Sequence, residues 1–350
     1  MNKRVCIIGG GFYGCNLALS VKDQFPNSKI DIYEKEDQLL TGAISNCQNR
    51  LHLGFHYGRC PSTVKQSVRC FNKFLGQYGK HTLYVNKNMY LIHKDSKVKF
   101  QDYVSFMKRN GLTFNTCNVK SINNLTNREQ FEGAIKVSEM VFNPTTITNE
   151  IVSKLHNTDI KVKLNSKITH ENIFKLRDQY DYVINATYTQ PHLGFNKSAF
   201  QDLKFEVCLI PIFYLKDYDN SNAITVMDGE FCSLYPTSTP GCFTLSSVVH
   251  TPFFKSEKLQ DCIDILKTID SDTNSLQDKT EKIVNHAKQY FDINYQDLKL
   301  VKNNLTIKCK IKNDINDTRE CFYVREGNYF SIMAGKVSAI YDINDRIIEE

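Results

Sequence analysis

Glycines stand at the first, third and sixth places of Gly9-Gly10-Gly11-Phe12-Tyr13-Gly14. That is the G-x-G-x-x-G spacing of a loop that holds a pyrophosphate. Gly9 makes the tight turn, Gly11 lets the phosphates approach the backbone, and Gly14 lets a helix pack on the preceding strand. The apolar run Arg4–Ile8 precedes the loop, and a helix-like pattern follows it. The amides of Phe12 and Tyr13 then open a helix whose unpaired N–H groups and dipole face an anion. A second apolar run, Lys29–Tyr33, ends in Glu34, 20 residues past Gly14. A carboxylate at that distance grips the ribose hydroxyls of a dinucleotide. Lys35 follows it at the same edge.

A second concentration of reactive side chains lies between Thr41 and Arg59. It mixes small residues and amides with Arg50, His52, His56 and Arg59, and is too irregular for a plain core element. Histidine suits proton transfer because its unperturbed pKa lies near neutrality. A guanidinium grips a carboxylate or phosphate with two parallel hydrogen bonds. Extended backbone would send His52, Gly54 and His56 to one side. A metal reading of the two histidines fails, because their spacing needs a helix and Gly54 spoils one.

Composition narrows the classes. The chain has 350 residues, 41% of them hydrophobic and 23% charged. It can bury a large core and hold two domains. A net charge of +6 without a dense basic run fits an anionic ligand and gives no support to nucleic acid. Twelve cysteines are scattered with no C-x-x-C pair, as in a reduced, cytoplasmic protein. The N-terminal run is too short for a signal peptide and no stretch is long enough to span a membrane.

The elements that must position these residues follow. Val64, Val68, Phe71, Phe74 and Leu75 recur at helical spacing between Ser62 and Tyr78. Leu83–Val85 and Met89–Ile92 read as strands, and the polar residues between them suggest a hairpin. Lys97 to Asn110, Thr145 to His156 and Ser256 to Tyr290 read as helical. Ile160–Leu164 and Asp181–Tyr188 read as strands, the second as a buried parallel one. Leu203 to Thr251 is strand-rich. Ser331–Val337 reads as strand, glycine, then helix. The pieces predict an α/β protein with a discontinuous nucleotide domain (1–80, 141–200, 315–350) and an inserted, mainly antiparallel substrate domain (81–140, 201–314).

Three stretches resemble the D-amino-acid oxidase superfamily of FAD-dependent oxidoreductases. They are the Rossmann-like fingerprint Gly9–Gly14 with Glu34, the strand Asp181–Thr187, and Ser331–Val337 with its Gly335-Lys336 turn. Asn46–Arg59 resembles the N-Q-x-R-x-H-x-G-x-H-Y-P-R segment of a bacterial-type subgroup. Asp228–Pro236 matches that subgroup's D-G-x-F-x-S-x-x-P. The chain departs at Gly58, where the subgroup favours proline, and at Thr187-Tyr188, where many relatives have a second glycine.

The resemblance implies noncovalent FAD, with Arg50, Leu51, Ala186, Thr187, Gly335, Lys336 and Val337 joining the glycine loop around it. It places Arg50–Arg59 beside the flavin and makes His52 or His56 the base. Arg50, Arg59 and Arg319 are then candidate clamps for an anionic substrate group. Lys336, read as opening a helix, would face the flavin's N1–O2 edge. The implied reaction is oxidation of a CH–OH or CH–NH group of a small polar substrate, with oxygen or another acceptor taking the electrons. Amino-acid-type amine oxidation, a non-redox flavoenzyme of the sugar-mutase type and an NAD(P)-dependent reductase remain as alternatives. So does a non-catalytic FAD protein.

Overall fold

The structure is a computed structural model and describes residues 3–195, 202–269, 271–312, 318–333 and 335–349. The chain opens with β1 (Arg4–Ile8), α1 (Phe12–Gln24), β2 (Lys29–Tyr33), the short β3 (Arg50–Leu51) and α2 (Pro61–Tyr78). It continues through β4 (Thr82–Tyr84), β5 (Lys87–His93), α3 (Phe100–Arg109), β6 (Asn115–Cys117), β7 (Phe131–Val137) and β8 (Met140–Phe142). Next come α4 (Pro144–His156), β9 (Lys161–Lys163), α5 (His170–Gln179) and β10 (Tyr182–Asn185). The long middle stretch holds β11 (Leu203–Tyr214), β12 (Asn222–Met227), β13 (Cys232–Pro236), β14 (Cys242–Ser247) and β15 (Pro252–Ser256). It ends with α6 (Leu259–Ile269), α7 (Thr273–Ala287) and β16 (Lys299–Ile311). The last elements are β17 (Phe322–Glu326), β18 (Tyr329–Met333) and α8 (Ile340–Glu349).

Strand order in the first sheet is β17-β18-β10-β1-β2-β9. All neighbours are parallel except the edge pair β17–β18. The sheet thus joins residues from both ends of the chain. β1 lies at its centre and is buried from Val5 to Ile8, which is why it reads as an unbroken apolar run. Ile184 and Ile332 share one core with Val5, Ile7 and the buried faces of α1, α4 and α8. The opposite face packs on α5 and on the base of the second sheet, through Cys6, Ile8, Val183 and Tyr329 with Phe205, Val207 and Cys309.

The second sheet runs β15-β11-β14-β13-β12-β5-β7-β6, with β16 on β11. Its pairs are antiparallel apart from β12–β5. Residues of α7 such as Ile283 and Ala287 cover one face with Leu234, Phe243 and Leu245. The other face turns toward the Asn46–Arg59 segment.

The hairpin expected across residues 83–92 does not form. β4 pairs with β8, in a three-stranded sheet that β3 completes, while β5 pairs with β12 and β7. Val85, fully buried, turns the chain from one sheet to the other, and its N–H donates to the Glu139 carbonyl at 3.3 Å. Each strand therefore finds its partner far along the chain.

Candidate active site

The glycine loop has the geometry its spacing implies. Gly9 has φ +103°, and a Cβ there would sit 2.9 Å from the Ala186 carbonyl oxygen. A Cβ on Gly14 would lie 1.9 Å from the Gly9 carbonyl oxygen, so only glycine lets α1 approach the strand. A Cβ on Gly11, the residue capping α1, would meet nothing within 4 Å among the described residues. No side chain caps this helix and no acid lies in its first turn. An open space thus faces the positive end of a helix dipole. The Gly10 N–H donates to Glu34 Oε2 at 2.6 Å, and the Glu36 N–H to Glu34 Oε1 at 2.9 Å, which fixes the carboxylate beside the loop. Ala186 and Thr187 continue β10 against the loop, with Thr187 Oγ1 donating to Asn185 Oδ1 at 2.7 Å.

Some residues expected at the cofactor point elsewhere. Phe12 is buried and packs on Phe74 and Tyr78, so only its backbone faces the loop. Leu51 is core. Lys35 is exposed and pairs with Glu36 at 2.7 Å.

The C-terminal turn closes the loop from the other side. The Tyr13 hydroxyl donates to the Lys336 carbonyl at 2.5 Å. Gly335 packs on the Arg319 carbonyl, and Val337 leans on the core under α1 and α8. Lys336 does not open a helix, since α8 begins at Ile340. Its ammonium donates to the Thr63 carbonyl at 3.0 Å and Ser67 Oγ at 2.8 Å, and lies 5.2 Å from the Tyr57 ring centre. Burial lowers its pKa to about 8.

His52, His56 and Tyr57 form one cluster, with ring centres 5.6–6.0 Å apart. His56 is exposed, while His52 keeps only partial exposure. The His52 Nδ1 atom is buried and has no hydrogen-bond partner among the described residues. Its pKa lies well below the usual imidazole value. Burial is the main cause, and the charges of Arg50, His56 and Lys336 add to it. The ring is therefore neutral at pH 7 with a ring nitrogen unengaged.

The arginines correct the reading of the sequence. Arg50 turns its guanidinium away from the glycine loop and into the second sheet. There Nε and Nη2 approach Glu139 Oε2 at 3.4 and 3.2 Å, and Nη1 donates to Thr225 Oγ1 at 3.0 Å. Nη2 also meets the Tyr90 hydroxyl, and the Tyr235 ring lies 4.3 Å from the guanidinium carbon. Arg59 is matched to Asp228 through Nε at 2.6 Å, so its charge already faces a carboxylate and it is not an uncommitted clamp. Arg319 lies beside this region, where its N–H donates to Thr63 Oγ1 at 3.1 Å and its charge acts on Tyr188 and Lys310. The flanking residues Asn316 and Asp317 lie outside the described residues, as does Ala334 of the C-terminal turn.

Glu139 and Gln48 were not legible as site residues. Glu139 is wholly buried, and besides Arg50 it accepts from the Tyr90 hydroxyl at 2.8 Å and the Leu53 N–H at 2.9 Å. It directly precedes β8, and the pairing of β8 with β3 brings it to Arg50 and the Leu53 N–H. Asp228 stands in a motif quoted above, but nothing in that motif names Arg59 as its partner.

An FAD molecule fits these features: an uncapped helix N-terminus with open space at Gly11, a carboxylate fixed beside the glycine loop, and an unengaged imidazole nitrogen. Among the described residues no group of three metal-ligating side chains converges, and no helix is long and apolar enough to cross a membrane.

Comparison with known proteins agrees. The chain is 27% identical over 350 residues to the FAD-dependent monooxygenase FPY4 of Fusarium mangiferae, covering 98% of this chain and 89% of that one. A 75-residue stretch is 36% identical to the FAD-dependent monooxygenase kojA of Aspergillus flavus, covering 21% of this chain and 17% of that protein. In structure it is similar to the FAD-bound L-α-glycerophosphate oxidase of Mycoplasma pneumoniae, with a TM-score of 0.69 at 12% identity over 100% of this chain and 95% of that one. The glycine oxidase of Bacillus cereus gives 0.68 at 10% identity over 99% and 95%. At such identities these two likenesses concern the fold alone. The sequence profile of the FAD dependent oxidoreductases, DAO, matches residues 4–243. The chain belongs to this family of FAD-dependent oxidoreductases, whose FAD is its cofactor.

Proposed function

We propose that this enzyme oxidises a CH–OH group of a small polar substrate. Bound FAD supplies the hydride acceptor. His52 accepts the hydroxyl proton at Nδ1 as the C–H bond breaks. One observation carries this reading: a buried, unpartnered imidazole nitrogen on a ring held neutral beside the expected flavin position. A neutral nitrogen can take a proton, and the Lys336 ammonium beside the cluster favours an alkoxide-like oxygen. His56, exposed at the mouth of the cluster, passes the proton to solvent. Glu139 holds the Leu53 amide and Arg50, and so fixes the backbone that carries His52. Twelve unpaired cysteines support a reducing, cytoplasmic setting, and the hydrogen-bonding cradle supports FAD held without a covalent link.

The test is anaerobic mixing of the holoenzyme with hydroxy compounds and amines, following loss of flavin absorbance. Bleaching by an alcohol, slowed in His52→Ala at unchanged FAD content, is the expected result. Bleaching by amines only would replace this reading with amine oxidation.

A further inference from the structure

The face of the second sheet that meets Gln48 and Arg50 is polar and rich in neutral hydroxyls. The Gln48 side-chain amide donates to Thr244 Oγ1 at 3.2 Å and Ser246 Oγ at 3.1 Å. Ser246 Oγ in turn shares a hydrogen bond with Ser233 Oγ at 2.7 Å. The register extends this face across β11 to β16. Ile212 is opposite Thr244, and Ile210 is opposite Asn304. Period-2 alternation therefore puts Asn304 on the same side as Thr244. The neighbouring Asn303 confirms the sense, since its side chain meets Thr280 of α7 on the other face. Asn304 is 2% exposed, and its Oδ1 has no hydrogen-bond partner among the described residues. A buried acceptor on this face calls for a donor.

The charges nearby are differently disposed. Arg50 is matched by Glu139, Arg59 by Asp228 and Lys310 by Glu206. The fork that would hold a carboxylate is already committed at both arginines flanking His52. What this face offers in number, beside Lys308 further along β16, is hydroxyls and amides, each able to donate and accept.

We infer that the substrate is polyhydroxylated, a sugar, polyol or sugar acid, and that Gln48, Ser246 and Asn304 read its hydroxyls. Gln48 and Ser246 form one wall, and Asn304 Oδ1 accepts from a hydroxyl further along. This rests on the oxidation reading above and names the class of its substrate. Short monohydroxy acids and amino acids lack the donors such a wall selects.

The holoenzyme is tested anaerobically with three groups of probes. The first is D-glucose, D-mannitol and D-gluconate; the second, D- and L-lactate; the third, glycine, D-alanine and L-proline. Flavin bleaching and perturbation of the oxidised flavin spectrum are both recorded. A member of the first group should bind and bleach. Gln48→Leu and Ser246→Ala should each weaken its binding by about threefold to tenfold, at unchanged FAD content. Asn304→Leu, which keeps the size and removes the acceptor, should weaken binding at least as much. Polyol binding without bleaching, lost in the variants, supports this inference while failing the oxidation reading. Bleaching by lactate or an amino acid alone overturns the inference and leaves flavin oxidation standing. Equal binding of the polyhydroxy probes by wild type and all three variants overturns it, as does no response to that group at all.

Discussion

At the scale of single residues His52 is the proposed base, and its environment fixes two measurable properties. Replacing it with alanine should slow anaerobic flavin reduction by about 10²–10⁴-fold, the usual range for a positioned base, with FAD retained. Its low pKa also links to stability. The unfolded value is 6.5 and the folded value lies well below it, so as pH falls below 6.5 the unfolded chain binds the proton first. Stability should therefore decline on that side and be fully present above it. His52→Asn should reduce this decline in urea titrations across pH 5–7, without abolishing it, because His192, His250 and His286 shift the same way. An unchanged acid-side slope would show that the ring is not held neutral by the fold. Glu139→Ala should cost about 3–5 kcal/mol in denaturant unfolding, since it strands Arg50 in a buried site. The histidines were visible in the sequence because residue type alone suggests proton transfer. Glu139 was not, because its importance comes from a strand register that no local pattern encodes. Tyr188 falls between: the sequence marks it as a departure from glycine, and the structure gives it φ +63°, the left-handed backbone a glycine adopts freely.

Two glycines six positions or fewer from β1 separate folding from binding at the scale of elements. Gly11→Val places a side chain into open space at the start of α1, where no atom of the described residues lies within 4 Å. The variant should fold with a melting temperature near that of the apo wild type, yet purify colourless. A yellow Gly11→Val protein with full FAD content would move the pyrophosphate elsewhere. Gly14→Ala should do the opposite. Its methyl group would overlap the Gly9 carbonyl at 1.9 Å, forcing α1 from the sheet and costing about 1–3 kcal/mol or more. This unit was legible because strand, loop and helix are adjacent in sequence and each glycine answers a local need. The same local reasoning failed at β4 and β5. Two strands separated by a few polar residues resemble a hairpin, but their partners β8, β12 and β7 lie far along the chain. The thirteen residues of β16 escaped notice for a related reason. Its burial alternates only from Asn303 to Ile307, while Lys299–Lys302 is exposed throughout, so no clean period of two marks it.

The two sheets are not separable bodies at the scale of the whole molecule. Cys6, Ile8, Val183, Tyr329 and Met333 of the parallel sheet share one buried cluster with Phe205 and Val207 of β11 and Cys309 of β16. Arg50 and Gln48, carried between the sheets, are hydrogen-bonded into the antiparallel one. The parallel sheet itself needs strands from residues 4–33, 161–185 and 322–333, so no contiguous half of the chain contains it. Breaking either sheet exposes the apolar surface of the other. The apo protein should therefore unfold in one calorimetric transition rather than two. FAD should raise that transition as a unit, by about 4 kcal/mol of stability when present at a thousandfold its dissociation constant. The contrary result is two resolved transitions, of which only the first moves with FAD. That outcome would mean that the shared cluster does not couple the sheets, and that the proposed substrate-binding face can order and melt independently of the glycine loop.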